Sequence, residues 1–175
     1  GFVFDKKGHI ITNAHVVADA KKVVVTFLDG RSYNAEVIGA DAFTDLAVIK
    51  VNADLALLNP LAIGDSSNLK VGEPIAAIGN PFGLGGTVTS GIISARNRSI
   101  GLSRYEDYIQ TDASINSGNS GGPLFDMDGN VIGINTAILG RNGSIGIGFS
   151  IPSNSAQIVI DQLLEFGETK RGWLG

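Results

Sequence analysis

Short apolar segments separated by turn residues dominate this chain and restrict what it can fold into. Glycine accounts for 24 of the 175 residues, roughly twice its usual share of about 7%. Asp29-Gly30 and Asp128-Gly129-Asn130 favour tight turns between antiparallel strands. Between the turns, apolar residues are β-branched or alternate with polar ones, which is typical of strands. Strands are predicted at 2–4, 10–12, 22–27, 32–40, 46–51, 73–78, 87–95, 108–111, 123–125, 131–139 and 145–151.

Only one segment has the period of an α-helix. After Pro152, apolar residues lie on one helical face, at 156, 159, 160, 163 and 164. Gly167 is a suitable stop, so we predict a single helix at 153–167 in an otherwise all-β chain. The many short strands favour two small barrels or sandwiches packed together. Their boundary is expected at the glycine-rich loop 80–86, which breaks any regular element.

Charge, hydropathy and cysteine content exclude several classes of protein. The 13 basic and 17 acidic residues give a net charge of -4 and form no long runs, which argues against a general nucleic-acid surface. No apolar stretch approaches the roughly 20 residues of a transmembrane helix, so no membrane span is expected. The absence of cysteine leaves the redox compartment open. Because the chain begins within what reads as a strand, we expect a fragment of a longer protein.

The strongest local motif is Gly118-Asn119-Ser120-Gly121-Gly122-Pro123. Small neighbours can hold a serine on a tight turn with its hydroxyl exposed, and glycine lets backbone N–H groups converge on one point. We therefore predict Ser120 as a nucleophile. An oxyanion hole is predicted at Gly118, Asn119 and Ser120, with the N–H groups of Gly118 and Ser120 as the donors. Taken alone, the motif favours an ordinary glycine-rich turn, so the prediction depends on the residues that accompany it.

A serine nucleophile needs a base whose pKa lies near neutrality, and histidine is the usual choice. The chain has two histidines. His15 lies where a strand is expected to end, whereas His9 lies in a charged turn, where a solvent-facing position is the simpler interpretation. We predict His15 as the general base, and a purely structural histidine remains the alternative.

A third group should hold the imidazole in the correct tautomer and stabilise its protonated form. Asp45 enters an apolar strand, where a carboxylate without a partner would be costly to bury. We predict that Asp45 is this group. Asp41 is expected to serve the preceding turn, and Asp112, close to the serine in sequence, is a second candidate whose alternative is a local structural role.

The order His15, Asp45, Ser120 and the motif around the serine resemble the chymotrypsin-type double-barrel serine proteases, and within them the HtrA (Deg) family. The resemblance extends over almost the whole chain. Further matching segments are TNAHVV at 12–17, TDLAV at 44–48, GNPFG at 79–83, TVTSGIIS at 87–94, QTDA at 110–113 and GIGFSIP at 146–152.

The resemblance implies an all-β fold of two six-stranded antiparallel β-barrels, chymotrypsin/trypsin-like, with a C-terminal α-helix and the active site in the cleft between the barrels. The implied division of the chain is 1–79 for the first barrel with His15 and Asp45, 80–86 for the interbarrel loop, 87–152 for the second barrel with Ser120, 153–167 for the helix and 168–175 for the start of a linker to a PDZ domain.

The resemblance also implies an ATP-independent serine endopeptidase of protein quality control. Such enzymes are usually periplasmic, cleave unfolded or misfolded polypeptides and assemble as homotrimers or higher oligomers. No cofactor, metal ion or nucleic acid is expected. Digestive relatives place an acid before the nucleophile to receive a new N-terminus. Asn119 cannot form that ion pair, so we expect control by loop rearrangement instead.

The walls of the specificity pocket are predicted to include Ser114, Ile115, Leu139 and Ile147. No acid stands among them, so a buried lysine or arginine would lack a partner, and cleavage after small or medium apolar residues is expected. Two alternatives stay open: a protease-like domain that acts mainly as a chaperone with a distorted oxyanion hole, and a double-barrel protease of narrow processing specificity.

Overall fold

The computed structural model describes residues 1–81, 84–138 and 143–172, with the backbone alone at 137 and 138. Within these residues the chain forms an antiparallel sheet, a closed barrel and two α-helices. The strands are β1 (Phe2–Val3), β2 (His9–Thr12), β3 (Val23–Thr26), β4 (Ser32–Asp41), β5 (Leu46–Val51), β6 (Pro74–Gly79), β7 (Thr87–Arg98), β8 (Tyr108–Thr111), β9 (Pro123–Phe125), β10 (Val131–Ile138) and β11 (Gly148–Pro152), and the helices are α1 (Ala14–Val17) and α2 (Ser153–Phe166).

The first lobe is a sheet with the strand order β1-β2-β5-β4-β3. Its central strand β5 is apolar and almost wholly buried, as expected for a strand covered on both faces. The all-β fold with a C-terminal helix is confirmed, but the prediction of six strands in a closed first barrel is wrong. This lobe has five described strands in an open sheet, because β1 and β3 lie at its two edges and do not pair with each other.

The second lobe is a closed barrel with the order β10-β11-β8-β7-β6-β9, in which β9 pairs with β10. The predicted boundary at 80–86 is therefore wrong. β6 pairs with β7 in a regular antiparallel register that begins at Gly79 and Thr87, so the glycine-rich loop is a hairpin connection inside the barrel. The two sheets are instead separated by the segment between β5 and β6. The pattern of glycines indicates where a strand ends, but it does not indicate which strand pairs with which.

The helix α2 joins the two lobes. Its buried residues Ala156, Ile160 and Leu163 belong to a core cluster that also contains Leu46 of the sheet and Phe149 of the barrel. The helix ends as predicted at Gly167, which has a left-handed φ of 73° and donates its N–H to the Leu163 carbonyl. No described helix has the length and apolar character needed to span a bilayer.

The segment after α2 returns to the first sheet through Arg171. Its guanidinium donates to both carboxylate oxygens of Asp41, at the end of β4. It also lies over the rings of Phe43 and Tyr105, at 5.0 Å and 4.6 Å from the centroids. The Asp41 side chain is only 3% exposed, so the ion pair neutralises a carboxylate that water barely reaches. Of the predicted linker 168–175, residues 173–175 lie outside the described residues.

Replacing Arg171 by Ala should lower the free energy of unfolding by about 1–3 kcal/mol, because the buried Asp41 carboxylate then loses its charged partner. Arg31→Ala is the matched control. Arg31 pairs with Asp29 at an exposed position, where such pairs contribute roughly 0–1 kcal/mol. Urea unfolding of both variants measures the difference, and equal losses would contradict the role of Asp41 burial.

Candidate active site

Asp45 lies in the turn between β4 and β5, immediately before the buried Leu46. The turn is organised by Asp41, whose carboxylate accepts hydrogen bonds from the Phe43 N–H at 3.4 Å and from the Thr44 hydroxyl at 2.6 Å. Asp45 has a positive φ of 59°, a conformation that aspartate tolerates better than most residues. Asp41 thus serves the turn as expected and is separate from the candidate catalytic groups.

Asp45 receives four hydrogen bonds from the segment that carries His15. Its carbonyl accepts from the Ala14 N–H at 3.1 Å and from the Asn13 side-chain amide at 2.9 Å. Its carboxylate accepts from the His15 N–H at 2.9 Å and from His15 Nδ1 at 2.6 Å. No side chain of its own caps the one-turn helix α1, so the Asp45 carboxylate satisfies one of its free N–H groups.

This arrangement determines which nitrogen of His15 is available for chemistry. A carboxylate can only accept, so Nδ1 carries the proton that it donates to Asp45, and Nε2 keeps its lone pair when the ring is neutral. The His15 side chain is 52% exposed, whereas that of Asp45 is 23% exposed. The imidazole therefore lies at the protein surface, and the less exposed Asp45 carboxylate fixes its orientation through Nδ1.

The pKa values of the pair move in opposite directions. The hydrogen bond to Asp45 raises the pKa of His15, partial burial opposes this, and the negative charge of the carboxylate adds to it. For Asp45, burial would raise the pKa, but hydrogen bonds from His15 and Thr136 outweigh burial and the pKa is lowered. Asp45 thus stays ionised at neutral pH and stabilises the protonated form of His15.

Thr136, on β10 of the barrel, is a site residue that sequence reasoning missed. Its hydroxyl donates to Asp45 Oδ2 at 2.6 Å, so the Asp45 carboxylate is bound from both lobes. The pairing of β10 with β11 shifts register between Asn135 and Ala137, and such a bulge can re-aim a side chain. The available signal was the polar pair Asn135-Thr136, which interrupts the apolar residues of the predicted strand.

The loop that carries Ser120 packs against the end of β2, close to His15 in sequence. The Gly121 N–H donates to the Asn135 carbonyl at 2.8 Å, and the Asn135 N–H donates to the Gly122 carbonyl at 2.9 Å. A Cβ at Gly121 would lie 2.5 Å from Thr12 Oγ1, so only glycine permits this approach. The structure therefore brings the loops of Ser120, His15 and Asp45 together where the two lobes meet.

The residues before the serine form a tight turn. The Asn119 N–H donates to the Asn116 carbonyl at 3.0 Å, and Gly118 has a φ of 98°. Ser117 is not among the residues with positive φ, so the turn 116–119 is of type II, in which the third residue needs a positive φ. The Gly118 carbonyl accepts from the Asn80 N–H at 3.1 Å, which holds the turn against the end of β6.

The backbone donors in this turn divide into engaged and available groups. Within the described part of the chain, neither the Gly118 N–H nor the Ser120 N–H has a hydrogen-bond partner, so both are available to an incoming oxygen. The Asn119 N–H donates within the turn and is not available to an oxyanion. Of the three residues predicted for the oxyanion hole, Asn119 therefore only links the two whose N–H groups are available. The Asn119 side chain is buried and donates to the Ser114 carbonyl at 3.1 Å.

The predicted pocket residues differ in how far they are buried. Ser114 is exposed and its carbonyl also accepts from the Thr89 hydroxyl at 3.0 Å. Ile115 is 1% exposed and belongs to the barrel core, so it can form the base of a pocket but not its rim. Ile147 is half-buried and packs against the core cluster that α2 shares with the two lobes. Leu139 lies outside the described residues.

The remaining candidates have structural roles. His9, which we expected to face solvent, is mostly buried and its Nδ1 lies 2.6 Å from an Asp5 carboxylate oxygen, within the turn that joins β1 to β2. Asp112 accepts from the Ile92 N–H at 2.8 Å and is not the partner of His15. Among the described residues, no group of three or more His, Cys, Asp or Glu side chains is arranged to hold a metal ion.

The pKa of His15 should respond to Asp45 in a direction that can be measured. An NMR titration of the wild-type chain should place the pKa of the His15 imidazole above that of an ordinary histidine. Asp45→Asn removes the negative charge, so this pKa should fall. Asp112→Asn is the control, because Asp112 is not the partner of His15, and it should leave the pKa of His15 unchanged. A His15 pKa that is unchanged or higher in Asp45→Asn would contradict the assigned pairing.

Comparisons with known proteins identify the family to which the chain belongs. A family model described as a trypsin-like peptidase domain matches residues 1–134. Over its whole length, the chain is 53% identical to a probable periplasmic serine endoprotease, DegP-like, of Brucella suis, and covers 34% of that protein. A relative with the same description from Halomonas elongata is 54% identical, with 37% of its length covered. The chain thus spans about a third of the length of these curated relatives.

Solved structures with the same fold include the HtrA-type protease AlgW with a decapeptide, which is 49% identical, with a TM-score of 0.94. The match covers 99% of this chain and 53% of that one. The serine endoprotease of Yersinia pestis is 41% identical with a TM-score of 0.84, over 99% of this chain and 60% of that one. The chain therefore belongs to the trypsin-like peptidase family and, within it, to the HtrA (DegP-like) serine endoproteases.

Proposed function

We propose that this chain is the catalytic domain of a serine endopeptidase in which Ser120 is the nucleophile, His15 the general base and Asp45 the group that orients it. The single observation that carries the proposal is the hydrogen bond of 2.6 Å from His15 Nδ1 to Asp45. It leaves Nε2 as the basic nitrogen. Thr12 and Asn13, just before His15 in sequence, lie against the loop that carries Ser120. The order of the three residues along the chain is that of the family.

The reaction begins with the Ser120 hydroxyl. Its oxygen attacks the carbonyl carbon of the scissile amide while its proton passes to His15 Nε2, and the carbonyl π electrons move to the oxygen. The resulting oxyanion accepts hydrogen bonds from the Gly118 and Ser120 N–H groups, which are preorganised donors for this charge. Among the described residues the Ser120 hydroxyl makes no hydrogen bond, and the side-chain hydrogen bond of His15 goes to Asp45. Catalytic hydrogen bonds often tighten only when substrate binds.

The intermediate then collapses and releases the amine. The C–N bond breaks as His15 gives its proton to the leaving nitrogen, and an ester remains on Ser120. Water attacks this ester with His15 again as base, and the second tetrahedral intermediate releases the carboxylic acid and restores the hydroxyl. Asp45 does not take a proton in either half. Its low pKa keeps it ionised, and the hydrogen bond from Thr136 fixes the carboxylate while His15 is charged.

The proposed substrates are unfolded or misfolded polypeptides, cut after small or medium apolar residues. Among the pocket residues that can be described, none of Ser114, Ile115 and Ile147 carries a charge. A lysine or arginine side chain would therefore have no partner. Apolar side chains are normally buried in folded proteins, so the same preference would favour unfolded substrates. No step requires ATP.

Cellular location, assembly and quality control are part of the same proposal. The curated relatives are named periplasmic serine endoproteases, which supports a periplasmic location for this protein. A homotrimer or larger oligomer, and a role in protein quality control, rest on membership of the HtrA family. The type II turn at 116–119 and the available N–H groups of Gly118 and Ser120 favour an active protease over the chaperone alternative.

Ser120→Ala should abolish proteolysis while leaving the fold intact. Loss of a serine nucleophile of this type lowers kcat by about 10⁶-fold, and the substitution removes one half-buried hydroxyl without disturbing the core. Ser117→Ala, at an exposed position in the same turn, is the matched control and should retain activity. Hydrolysis of a denatured protein measures the effect. More than a few per cent of wild-type activity in Ser120→Ala, with an unchanged melting transition, would overturn the assignment.

Cleavage specificity provides a separate test of the pocket. Mass spectrometry of peptides released from a denatured protein should show cuts mainly after Val, Ile, Ala and similar residues. The preference among these should be shallow, because one methylene contributes only about 1–3 kcal/mol in such a pocket. Predominant cleavage after Lys, Arg or Asp would refute the pocket while leaving the catalytic residues untouched.

A further inference from the structure

Asn116 occupies a junction between two loops that the proposed mechanism needs. It is the first residue of the type II turn 116–119, and its carbonyl accepts the Asn119 N–H that closes this turn at 3.0 Å. Its side-chain Oδ1 accepts the Ser144 N–H at 2.8 Å. One residue thus connects the turn that presents the Gly118 N–H with the segment 143–147.

The segment 143–147 leads directly to the proposed pocket. Ile147 is one of the expected pocket walls, and Gly148 begins β11. Loop and turn are in close contact, because a Cβ at Gly143 would lie 3.1 Å from Asn116 Oδ1 and a Cβ at Gly148 would lie 2.6 Å from the Ile115 side chain. The segment is also closed on itself, since the Ser144 hydroxyl accepts from the Gly146 N–H at 3.3 Å.

The described contacts make the Asn116 side chain the polar connection between these two segments. Ile115 and Gly148 contribute only van der Waals contact, which is not directional. A hydrogen bond from a backbone N–H to an amide oxygen has a preferred distance and angle. It therefore fixes the orientation of Asn116, whose own carbonyl sets the position of the turn. Oxyanion donors must be placed within fractions of an ångström, and a misplacement of about 1 Å can cost 10²-fold in rate.

We propose that Asn116 is a positioning residue that couples the pocket loop 143–147 to the oxyanion turn 116–119. The hydrogen bond from the Ser144 N–H fixes the Asn116 side chain, and Asn116 in turn holds the turn that presents the Gly118 N–H. Asn116 itself touches neither the substrate nor the reacting atoms. This inference rests on the proposed function, in which the Gly118 N–H is a donor to the oxyanion.

The experiment measures the rate at which a fluorophosphonate modifies Ser120. The phosphonyl oxygen would use the same N–H pair as a substrate oxyanion, but the reagent carries no peptide side chain to fill the pocket. Asn116→Ala should lower the modification rate by about 10- to 100-fold. Asn116→Asp should remain within about threefold of wild type, because a carboxylate oxygen still accepts the Ser144 N–H. Asn130→Ala, the same change in another turn of the barrel, is the control and should have no effect.

A loss confined to peptide hydrolysis would overturn the coupling. In that case Asn116→Ala would reduce kcat/KM for peptides but leave the fluorophosphonate rate unchanged, and the residue would shape only the pocket. A loss in Asn116→Asp equal to that in Asn116→Ala would also overturn it, since the accepted hydrogen bond would then be irrelevant.

Thermal unfolding separates positioning from general stability. If Asn116→Ala does not fold, Asn116→Ser takes its place, because its shorter side chain cannot reach the Ser144 N–H in the same geometry. Failure of both to fold would overturn the proposal and make Asn116 a residue of the barrel's stability. A wild-type chain that neither reacts with fluorophosphonate nor hydrolyses peptides would refute the proposed function. A reactive wild type with an equally reactive Asn116→Ala would refute only this inference.

Discussion

The carboxylate of Asp45 is the interaction on which the candidate site depends. It receives the His15 N–H and Nδ1 from the segment that follows β2, and the Thr136 hydroxyl from the barrel. A carboxylate at this degree of burial is tolerated only if its oxygens are satisfied. The hydrogen bonds that satisfy this one carboxylate therefore also orient the imidazole, cap the helix α1 and connect the two lobes. The loop that carries Ser120 lies close to this connection.

The serine loop itself is positioned by close backbone approach. A Cβ at Gly118 would lie 2.4 Å from the Asn80 carbonyl oxygen, one at Gly121 would lie 2.5 Å from Thr12 Oγ1 and one at Gly122 would lie 2.3 Å from the Ile78 carbonyl oxygen. Glycine at these positions lets the loop fit between the ends of β6 and β2. The glycines of the motif around Ser120 thus meet a packing requirement, and the Gly118 N–H has no hydrogen-bond partner among the described residues.

Much of the fold could be predicted from the chain because local signals are strong in it. The bounds of β5, β8 and β9 agree with the predicted strands, and the helix ends at Gly167 as its spacing indicated. The boundary between the lobes could not be predicted, because a glycine-rich loop such as 80–86 can connect two strands of one barrel or two separate lobes. The last strand begins at Gly148 rather than Ile145, since apolar residues in a loop and in a strand look alike in sequence.

By itself, the sequence determined the residue types of the candidate site: a serine followed by two glycines, two histidines, an aspartate entering an apolar strand, and a family pattern that contains them. Only the tertiary structure decided which histidine has which partner, since both His9 and His15 pair with an aspartate. It also decided that the Thr136 hydroxyl donates to the Asp45 carboxylate, next to a bulge in the pairing of β10. Likewise, only the folded chain shows that the Asn116 side chain accepts the Ser144 N–H, 28 residues away. The physical reason is that residue types and spacing describe what a segment can form, whereas hydrogen bonds between distant segments depend on strand register and close packing, which exist only in the folded chain.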